Sequence, residues 1–267
     1  MRMPHEDVDA LMEEASARIV LPRFGRLASG DIDEKKANDF VTIADREAEE
    51  FLAPRLAALL PGARVLGEEA ASADPSLMGR VAAEGLLWVI DPIDGTRSFI
   101  DRRDDFGIIV ALLRDGETIG GWIMQPRGGR RLATERGAGT RLSGHAPSAP
   151  REAGALPLGM FLGRLPDGAR ARDRAEGRFE VGPRPGGGAI AFLEVAAGAA
   201  DLLYLNRGWP WDHAAGVLAL CEGGGEARFL SDGAAYSPRR WNEPILVTRE
   251  AARWQATRAL LDGPLGA

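Results

Sequence analysis

A chain of 267 residues suits one large domain or two moderate ones and is long enough to bury a sizeable core. Its formal net charge of −6 argues against a nucleic acid polymer as the main partner, and its single cysteine excludes an internal disulfide and fits a reducing compartment. The sequence shows neither a secretory signal nor an apolar run of membrane-spanning length, so we expect a cytoplasmic protein without a membrane partner.

The first part of the chain alternates helical patterns with polar segments. Apolar residues at helical spacing predict amphipathic helices over residues 4–21 and 42–60, and a short strand follows over 63–66. Between the helices, the polar residues 29–39 predict a loop that carries Lys35 and Lys36, the only lysines in the chain. This loop is interpreted either as an ordinary solvated segment or as a mobile basic segment that reaches over an anionic site.

The centre of the chain places two carboxylates directly after a buried strand. Bulky apolar residues predict a strand over 86–90, which runs into Asp91 and Asp94. Gly95 and Thr96 follow, and residues 97–100 have the character of a first helical turn. Carboxylates bind cations, and the N–H groups of a turn that opens a helix bind anions. The stretch therefore predicts a site for a metal ion and a phosphate.

The remaining elements follow in two groups separated by residues 136–151, which are rich in Gly, Ser and Pro and predict a domain boundary. This boundary divides the chain into an N-terminal unit, 1–145, and a C-terminal unit, 146–267. Before it, strands of an antiparallel meander are predicted over 105–113, 118–125 and 131–135. After it, we predict strands over 156–162, 178–181, 200–204, 226–230 and 245–248, with helices over 167–177, 189–199, 213–222 and 250–261.

Two classes of phosphatase place aspartates after a strand in this way. Haloacid-dehalogenase-like phosphatases use Asp-x-Asp with the first aspartate as nucleophile, whereas Asp91 and Asp94 are separated by two residues, which misplaces the acid partner by one position. The alternative is a carboxylate site for hard cations. Clustered divalent ions neutralise phosphoryl oxygens, generate hydroxide and stabilise the leaving alkoxide, and Mg²⁺ prefers oxygen ligands.

Several motifs together resemble the inositol monophosphatase family of magnesium-dependent, lithium-sensitive phosphomonoesterases. They occur in the family's order and span nearly the whole chain. The motifs are Asp39-Phe40-Val41-Thr42-Ile43-Ala44-Asp45, Gly67-Glu68-Glu69, Asp91-Pro92-Ile93-Asp94-Gly95-Thr96, Val195-Ala196-Ala197-Gly198-Ala199-Ala200-Asp201 and Trp211-Asp212-His213-Ala214-Ala215-Gly216. The resemblance implies an α/β fold in which layers of helices and sheets alternate, as in the sugar-phosphatase superfamily, and it implies a homodimer.

The resemblance also implies roles for individual residues. Glu68, Asp91 and the main-chain carbonyl of Ile93 would hold a first Mg²⁺ ion, Asp91, Asp94 and Asp212 a second, and Glu68 with water a weaker third. Thr96 paired with Asp45 would position and deprotonate the attacking water. Taken alone, Asp45 is more typical of a helix start, where an acidic residue complements the macrodipole, than of a catalytic residue. Asp94, the N–H groups of Gly95 and Thr96, and Ala189 would face the substrate.

Two departures from the family pattern concern the substrate rather than the metal. Ala189 stands where the family usually has serine, and Leu205 stands where inositol-specific members carry a glutamate seven residues before the metal-binding aspartate. The function implied is magnesium-dependent hydrolysis of a small phosphorylated alcohol such as myo-inositol-1-phosphate. Histidinol phosphate and 3′(2′),5′-bisphosphate nucleotides are the alternative substrates, and a non-catalytic, metal-stabilised binding protein is the alternative from another functional class.

Overall fold

The computed structural model describes residues 2–37, 39–145, 156–162 and 179–262. In chain order the α-helices of these residues are α1 (His5–Ala15), α2 (Leu21–Arg23), α3 (Ile43–Leu59), α4 (Glu68–Ala73), α5 (Thr96–Ile100), α6 (Gly188–Ala196), α7 (Pro210–Glu222) and α8 (Trp254–Asp262). A π-helical turn, Ser16–Val20, joins α1 to α2. The 3₁₀ helices are Ser29–Asp31, Pro75–Ala82 and Ala251–Arg253. None of the helices in the described residues is long and apolar enough to cross a bilayer.

The strands form two larger sheets and a hairpin. Strands β1 (Ile32–Lys36) and β2 (Asp39–Thr42) make the hairpin. The N-terminal sheet has the order β3-β4-β5-β6-β7-β8, with β3 (Arg64–Gly67), β4 (Leu86–Asp94), β5 (Gly107–Arg114), β6 (Glu117–Met124), β7 (Arg131–Glu135) and β8 (Gly139–Ser143). The C-terminal sheet has the order β10-β9-β11-β13-β12, with β9 (Leu158–Leu162), β10 (Glu180–Val181), β11 (Leu202–Leu205), β12 (Glu226–Phe229) and β13 (Ile245–Thr248).

The layers alternate because both faces of each larger sheet are apolar. One face of the N-terminal sheet, with Trp88 and Val110, packs on α1 and α3, and the other face, with Val89 and Ile109, packs on α6 and α7. The C-terminal sheet covers the far side of α6 and α7, and its own outer face packs on Trp254 of α8. Strands buried on both faces carry continuous apolar runs instead of an alternating pattern. The observed order of helices, sheet, helices, sheet and helix confirms the expected α/β fold with layered helices and sheets.

Most predicted elements occur, and two segments differ. The antiparallel meander is confirmed, and β8 extends it by one edge strand inside the segment 136–151 that we interpreted as a boundary. The predicted loop 29–39 is wrong, because most of it forms the β1–β2 hairpin. The unpredicted strands β1 and β8 are polar and largely exposed, so no apolar pattern marks them, and the unpredicted β2 is only four residues long. The predicted helix 167–177 lies outside the described residues, and the division of the chain between residues 145 and 146 stays a prediction.

A close contact between β6 and α7 sets the distance between the N-terminal sheet and the central helices. At Gly121 of β6 a Cβ atom would lie 2.7 Å from Cα and 2.9 Å from Cβ of Ala215 on α7. Real Cβ atoms do not approach other heavy atoms this closely, so a side chain here would push the helix away from the sheet. Glycine at 121 and alanine at 215 therefore allow α7 to lie directly on the sheet.

We expect Gly121→Ala to lower the free energy of unfolding by about 1–3 kcal/mol, because overpacking at this contact forces backbone shifts. Urea denaturation followed by circular dichroism measures the change. Gly79→Ala is the matched control, since a Cβ at Gly79 meets no atom within 4 Å. Equal stability of the two variants would contradict the close-contact interpretation.

Candidate active site

The acidic residues meet at one edge of the N-terminal sheet because β3 and β4 are parallel. Gly67 at the end of β3 pairs with Ile90 of β4, so Glu68 and Asp91 follow the same register position on neighbouring strands. Carboxyl ends of parallel strands lie at one edge of a sheet, where α/β proteins commonly bind ligands. The sequence motifs Gly67-Glu68-Glu69 and Asp91 to Thr96 are thus adjacent in space.

An irregularity in β4 accounts for the spacing of Asp91 and Asp94. Asp91 pairs with Ile109 and Asp94 pairs with Gly107, so three steps along β4 match only two steps along β5. In a regular strand, residues three apart point to opposite faces, and an extra residue removes this alternation. The Asp91 side chain also accepts a hydrogen bond from the N–H of Ile93 at 3.1 Å, which stabilises the local turn.

The third metal-ligating candidate comes from a distant part of the chain. Asp212 lies in the first turn of α7, and α7 packs on the N-terminal sheet. Glu68, Asp91 and Asp212 each offer a carboxylate oxygen, and these three oxygens all lie within 4.8 Å of one another. The fold therefore brings together three of the predicted metal-ligating side chains, with Asp91 buried and the other two partly exposed.

Burial and mutual repulsion raise the pKa values of these carboxyl groups. The pKa of Asp91 is raised well above its usual range by burial first and then by Glu68, Asp94 and Asp212. Burial likewise raises the pKa of Asp212, with Asp94 and Glu68 adding to the effect. Burial also lowers the pKa of His213 to about 3, so this imidazole is neutral and the excess of carboxylates has no histidine cation nearby.

Thr96, Asp45 and the main-chain carbonyl of Ile93 form one hydrogen-bonded group. Thr96 Oγ1 lies 3.2 Å from Asp45 Oδ1 and 3.1 Å from the Ile93 carbonyl oxygen, and its one hydroxyl hydrogen can be donated to either. The other Asp45 oxygen accepts from the N–H and the hydroxyl of Thr42, which is the N-cap of α3. Burial raises the pKa of Asp45 to about 7 even though these hydrogen bonds from Thr42 lower it. Asp45 is thus both a helix-capping residue and a neighbour of Thr96.

Asp94 is held by the start of α6. Its Oδ2 accepts a hydrogen bond from the N–H of Ala189 at 2.6 Å, and burial raises its pKa to about 6 although the N–H groups of Ala189 and Gly188 act against the shift. Ala189 itself is fully buried, and a Cβ at Gly107 would lie 2.5 Å from the Ala189 methyl group. In this structure Ala189 therefore contacts Asp94, while its predicted contact with substrate stays a prediction. Gly95 is the N-cap of α5 in a left-handed conformation, with φ of +87°.

Lys35 is a site residue whose position we did not predict. It lies on β1, and its Nζ is 2.8 Å from Glu68 Oε1 and 3.0 Å from Glu69 Oε1. Burial lowers the pKa of Lys35, but the two glutamates outweigh this effect, so its pKa lies above the ordinary value. Of the two interpretations of residues 29–39, the contacts of Lys35 agree with a basic segment that reaches an acidic group, while the mobility of that segment stays a prediction. The signal in the sequence was that the only two lysines of the chain are adjacent. This signal does not distinguish Lys35 from Lys36, for which the described residues show no comparable contact.

Glu49 is a second residue that the sequence did not single out. It lies on α3, and its carboxylate accepts hydrogen bonds from the N–H groups of Glu69 at 2.8 Å and Ala70 at 2.9 Å. These N–H groups belong to the first turn of α4. N–H groups in the first turn of a helix have no hydrogen-bond acceptor within that helix. A Cβ at Gly67 would overlap the Glu49 carboxylate, so the glycine of the Gly67-Glu68-Glu69 motif provides the space for this cap. Glu49 thereby holds the backbone directly after Glu68.

The donor set fits a hard divalent cation. The grouped ligand atoms are all carboxylate oxygens, and no histidine or cysteine of the described residues belongs to the group. Buried carboxylates are stable in proteins when they are paired or bind a metal, and Mg²⁺ takes oxygen ligands. Among the residues with described positions, only Lys35 forms an ion pair with this group, so the site has a deficit of positive charge that a divalent ion can fill.

Comparisons with known proteins agree with this architecture. The model of the inositol monophosphatase family matches residues 5–257. An inositol-1-monophosphatase of Mesorhizobium japonicum is 32% identical over 223 residues, covering 78% of each chain. A histidinol-phosphatase of Chlorobaculum parvum is 33% identical over 219 residues, covering 80% of this chain and 81% of its own. The solved structure of the Thermotoga maritima IMPase has a TM-score of 0.81 at 23% identity and covers 97% of both chains, which shows the shared fold.

The family match identifies a phosphatase, and the carboxylates gathered at the sheet edge form a group that could bind a metal ion. The chain belongs to the inositol monophosphatase family, whose members hydrolyse phosphate monoesters and generally use metal ions.

We expect Lys35→Met to bind Mg²⁺ more tightly than the unchanged protein, by roughly tenfold at low ionic strength, because the ammonium competes with the metal for Glu68. Isothermal titration calorimetry measures the affinity. Lys36→Met is the control, because Lys36 is exposed and its removal should change the affinity by no more than about twofold. Weaker Mg²⁺ binding by Lys35→Met would contradict competition.

Removal of the Glu49 cap should destabilise the protein and loosen the metal site together. We expect Glu49→Ala to lower the free energy of unfolding by about 1–3 kcal/mol, because two N–H groups of α4 lose their acceptor. Calorimetry on the same variant should show weaker Mg²⁺ binding, since Glu68 is no longer held in place. Glu50→Ala changes the exposed neighbouring glutamate and should alter stability by no more than about 0.5 kcal/mol. Similar behaviour of the two variants would rule out the capping role.

Proposed function

We propose that this protein is a Mg²⁺-dependent phosphomonoesterase that hydrolyses a small phosphorylated alcohol by direct attack of water. Myo-inositol-1-phosphate belongs to this class of substrate, as do histidinol phosphate and 3′(2′),5′-bisphosphate nucleotides. The observation that carries the proposal is the group of Glu68, Asp91 and Asp212 oxygens within 4.8 Å, with the Thr96–Asp45 hydrogen bond beside the same strand end. The implied homodimer and cytoplasmic location are part of the proposal.

The carboxylates would serve as ligands for two or three Mg²⁺ ions. In the proposed assignment, Glu68, Asp91 and the Ile93 carbonyl hold the first ion, and Asp91, Asp94 and Asp212 hold the second. Bound ions of this kind neutralise the phosphoryl oxygens, lower the pKa of a coordinated water and stabilise the leaving alkoxide. Glu68 has a further role in orienting water at the weaker third position.

Thr96 and Asp45 would handle the proton of the attacking water. When Asp45 Oδ1 accepts the hydroxyl hydrogen of Thr96, a lone pair of Thr96 Oγ1 is free to accept a hydrogen bond from water. Burial raises the pKa of Asp45 above that of an exposed aspartate, which makes its carboxylate a stronger base for the proton of the attacking water. The Asp45 oxygen bonded to Thr42 stays fixed, so the oxygen that faces Thr96 keeps its direction.

The start of α5 would orient the phosphate. Gly95 and Thr96 lie at the N-cap and first position of this helix, where main-chain N–H groups lack partners within the helix. We assign these two N–H groups to the phosphoryl oxygens, with Asp94 and the adjoining Ala189 on the side of the alcohol. In this arrangement carboxylates hold the metal, and two neutral main-chain N–H groups hold the phosphate. Such a site suits hydrolysis by water without a covalent intermediate.

Phosphate release with and without Mg²⁺ tests the proposal, and two variants separate its parts. Asp94→Asn should lose both turnover and metal affinity, because a metal ligand is removed. Thr96→Ala should reduce kcat by roughly 10²–10⁴-fold while Mg²⁺ affinity measured by calorimetry changes little, since only the handling of the proton is affected.

Two results would contradict this scheme. Near-normal turnover by Asp94→Asn would remove Asp94 from the metal site, and a collapse of metal affinity in Thr96→Ala would give Thr96 a different role. Thr118→Ala is a control for removal of a buried threonine hydroxyl elsewhere on the N-terminal sheet, and it should keep turnover. Failure to release phosphate from any ester in the presence of Mg²⁺ would favour a binding protein over an enzyme.

A further inference from the structure

A cavity of about 200 Å³ adjoins the acidic cluster on the side of the C-terminal sheet. Asp94 and Asp212 form one end of it, and the rest of its wall includes Leu162, Leu205 and Trp209. A phosphate held beside the carboxylates would therefore direct its ester oxygen, and the alcohol attached to it, into this space. The volume is below the roughly 300–1,000 Å³ typical of pockets for drug-sized ligands, so the cavity suits a group of about one ring.

Two leucines form an apolar part of the cavity wall. Leu162 and Leu205 are paired residues at the ends of the parallel strands β9 and β11, and both line the cavity. Leu205 is only 1% exposed and belongs to the buried core, so water does not readily penetrate this part of the wall. Asn206 and His213 also line the cavity and are polar. A hydroxyl group placed against the two leucines would lose its hydrogen bonds to water without gaining a partner there. A ring with hydroxyl groups on all sides is therefore a poor occupant beside the leucines.

Trp209 adds a planar surface. Its ring lies 5.2 Å from the ring of Trp211 with an angle of 3° between the planes, so the two indoles are stacked. Stacking holds the Trp209 ring in one orientation, and the ring is partly exposed where it lines the cavity. Aromatic side chains bind planar groups by offset stacking or edge contacts. The geometry favours a flat, apolar group in this position.

Arg207 supplies a positive charge at the same cavity. It is exposed, lies between β11 and α7, and is the one basic side chain among the lining residues that the structure describes. The acidic lining residues, Asp94 and Asp212, belong to the proposed metal site and are not free to pair with it. A guanidinium group recognises carboxylates and phosphates through paired hydrogen bonds. The cavity is thus suited to an alcohol that carries a negative charge away from the ester.

We propose that this cavity selects phosphate esters whose alcohol carries a planar, apolar ring with a second anionic group, and that it discriminates against polyhydroxylated rings. The inference rests on the proposed function, because it describes the alcohol side of the same site. Leu162 and Leu205 exclude hydroxyl groups, Trp209 stacks on the ring, and Arg207 pairs with the anion.

A series of esters tests each part of the wall. The esters are glycerol 2-phosphate, myo-inositol-1-phosphate, 2-phenylethyl phosphate and 2-phenylethyl phosphates with a carboxylate at the 3- or 4-position of the ring. We expect kcat/KM with Mg²⁺ to rise by about three- to tenfold from glycerol 2-phosphate to the phenyl ester. It should rise again by roughly tenfold for the better carboxylated ester, and myo-inositol-1-phosphate should lie below the phenyl ester.

Variants then assign the preference to particular side chains. Arg207→Gln should remove most of the advantage of the carboxylated ester over the phenyl ester, and Arg253→Gln, an exposed arginine outside the cavity, should keep it. Trp209→Leu should reduce the advantage of the phenyl ester over glycerol 2-phosphate, and Trp209→Phe should restore it. Thermal unfolding of each variant shows whether it is folded.

The outcomes separate the inference from the proposed function. Equal kcat/KM for the polyol and ring esters, or ratios that Arg207→Gln and Trp209→Leu leave unchanged, would overturn the inference alone. No phosphate release from any of the esters would overturn the proposed function and the inference with it.

Discussion

The structure depends on holding several carboxylates of like charge together in a partly buried place. Like charges in such a position repel one another, and burial adds the cost of removing each from water. The pKa values of Asp91 and Asp212, both raised by burial and by their neighbours, express this cost. The protein can maintain the cluster only because the rest of the fold stabilises the elements that carry these side chains. Each acidic residue therefore lies at the end of an element with extensive packing of its own.

The supports differ from one carboxylate to the next. Glu68 follows β3 and is fixed through the cap that Glu49 places on α4. Asp94 is held by the start of α6, and Asp212 is carried by α7, which lies on the sheet where Gly121 leaves room. Lys35 approaches from outside the larger sheets, on the largely exposed strand β1 of the hairpin. The only positive charge beside Glu68 in the described residues thus comes from an exposed element, whereas the negative charges come from buried ones.

This difference explains how much of the structure could be predicted from the sequence. The carboxylates stand in motifs whose order and spacing resemble a known family, and the strands that carry them have apolar runs. The strand that leads into Asp91 and Asp94 was therefore correctly predicted, and the roles of the two aspartates stay predictions. The hairpin β1–β2 was missed because β1 is polar and largely exposed, so this part of the sequence has the composition of a loop.

The contacts of Lys35 and Glu49 could not be predicted for a different reason. Glu49 is an acidic residue in a helix rich in charged side chains, and only the approach of α4 distinguishes it from exposed Glu50. Such contacts join elements that are far apart in the chain, and local propensity carries no information about them. The shift of register in β4 could not be predicted for the same reason, because it depends on pairing with β5.

The pairing of Leu162 with Leu205 places the ends of two strands of the C-terminal sheet opposite the ends of β3 and β4. The cleft between them is thus built from two halves that share no backbone hydrogen bonds in a common sheet. In the proposed function, one half would carry the groups that act on the phosphorus atom, and the other would contact whatever is attached to it. A substitution at the end of β9 or β11 would then change the fit of the alcohol without touching the backbone that carries the carboxylates.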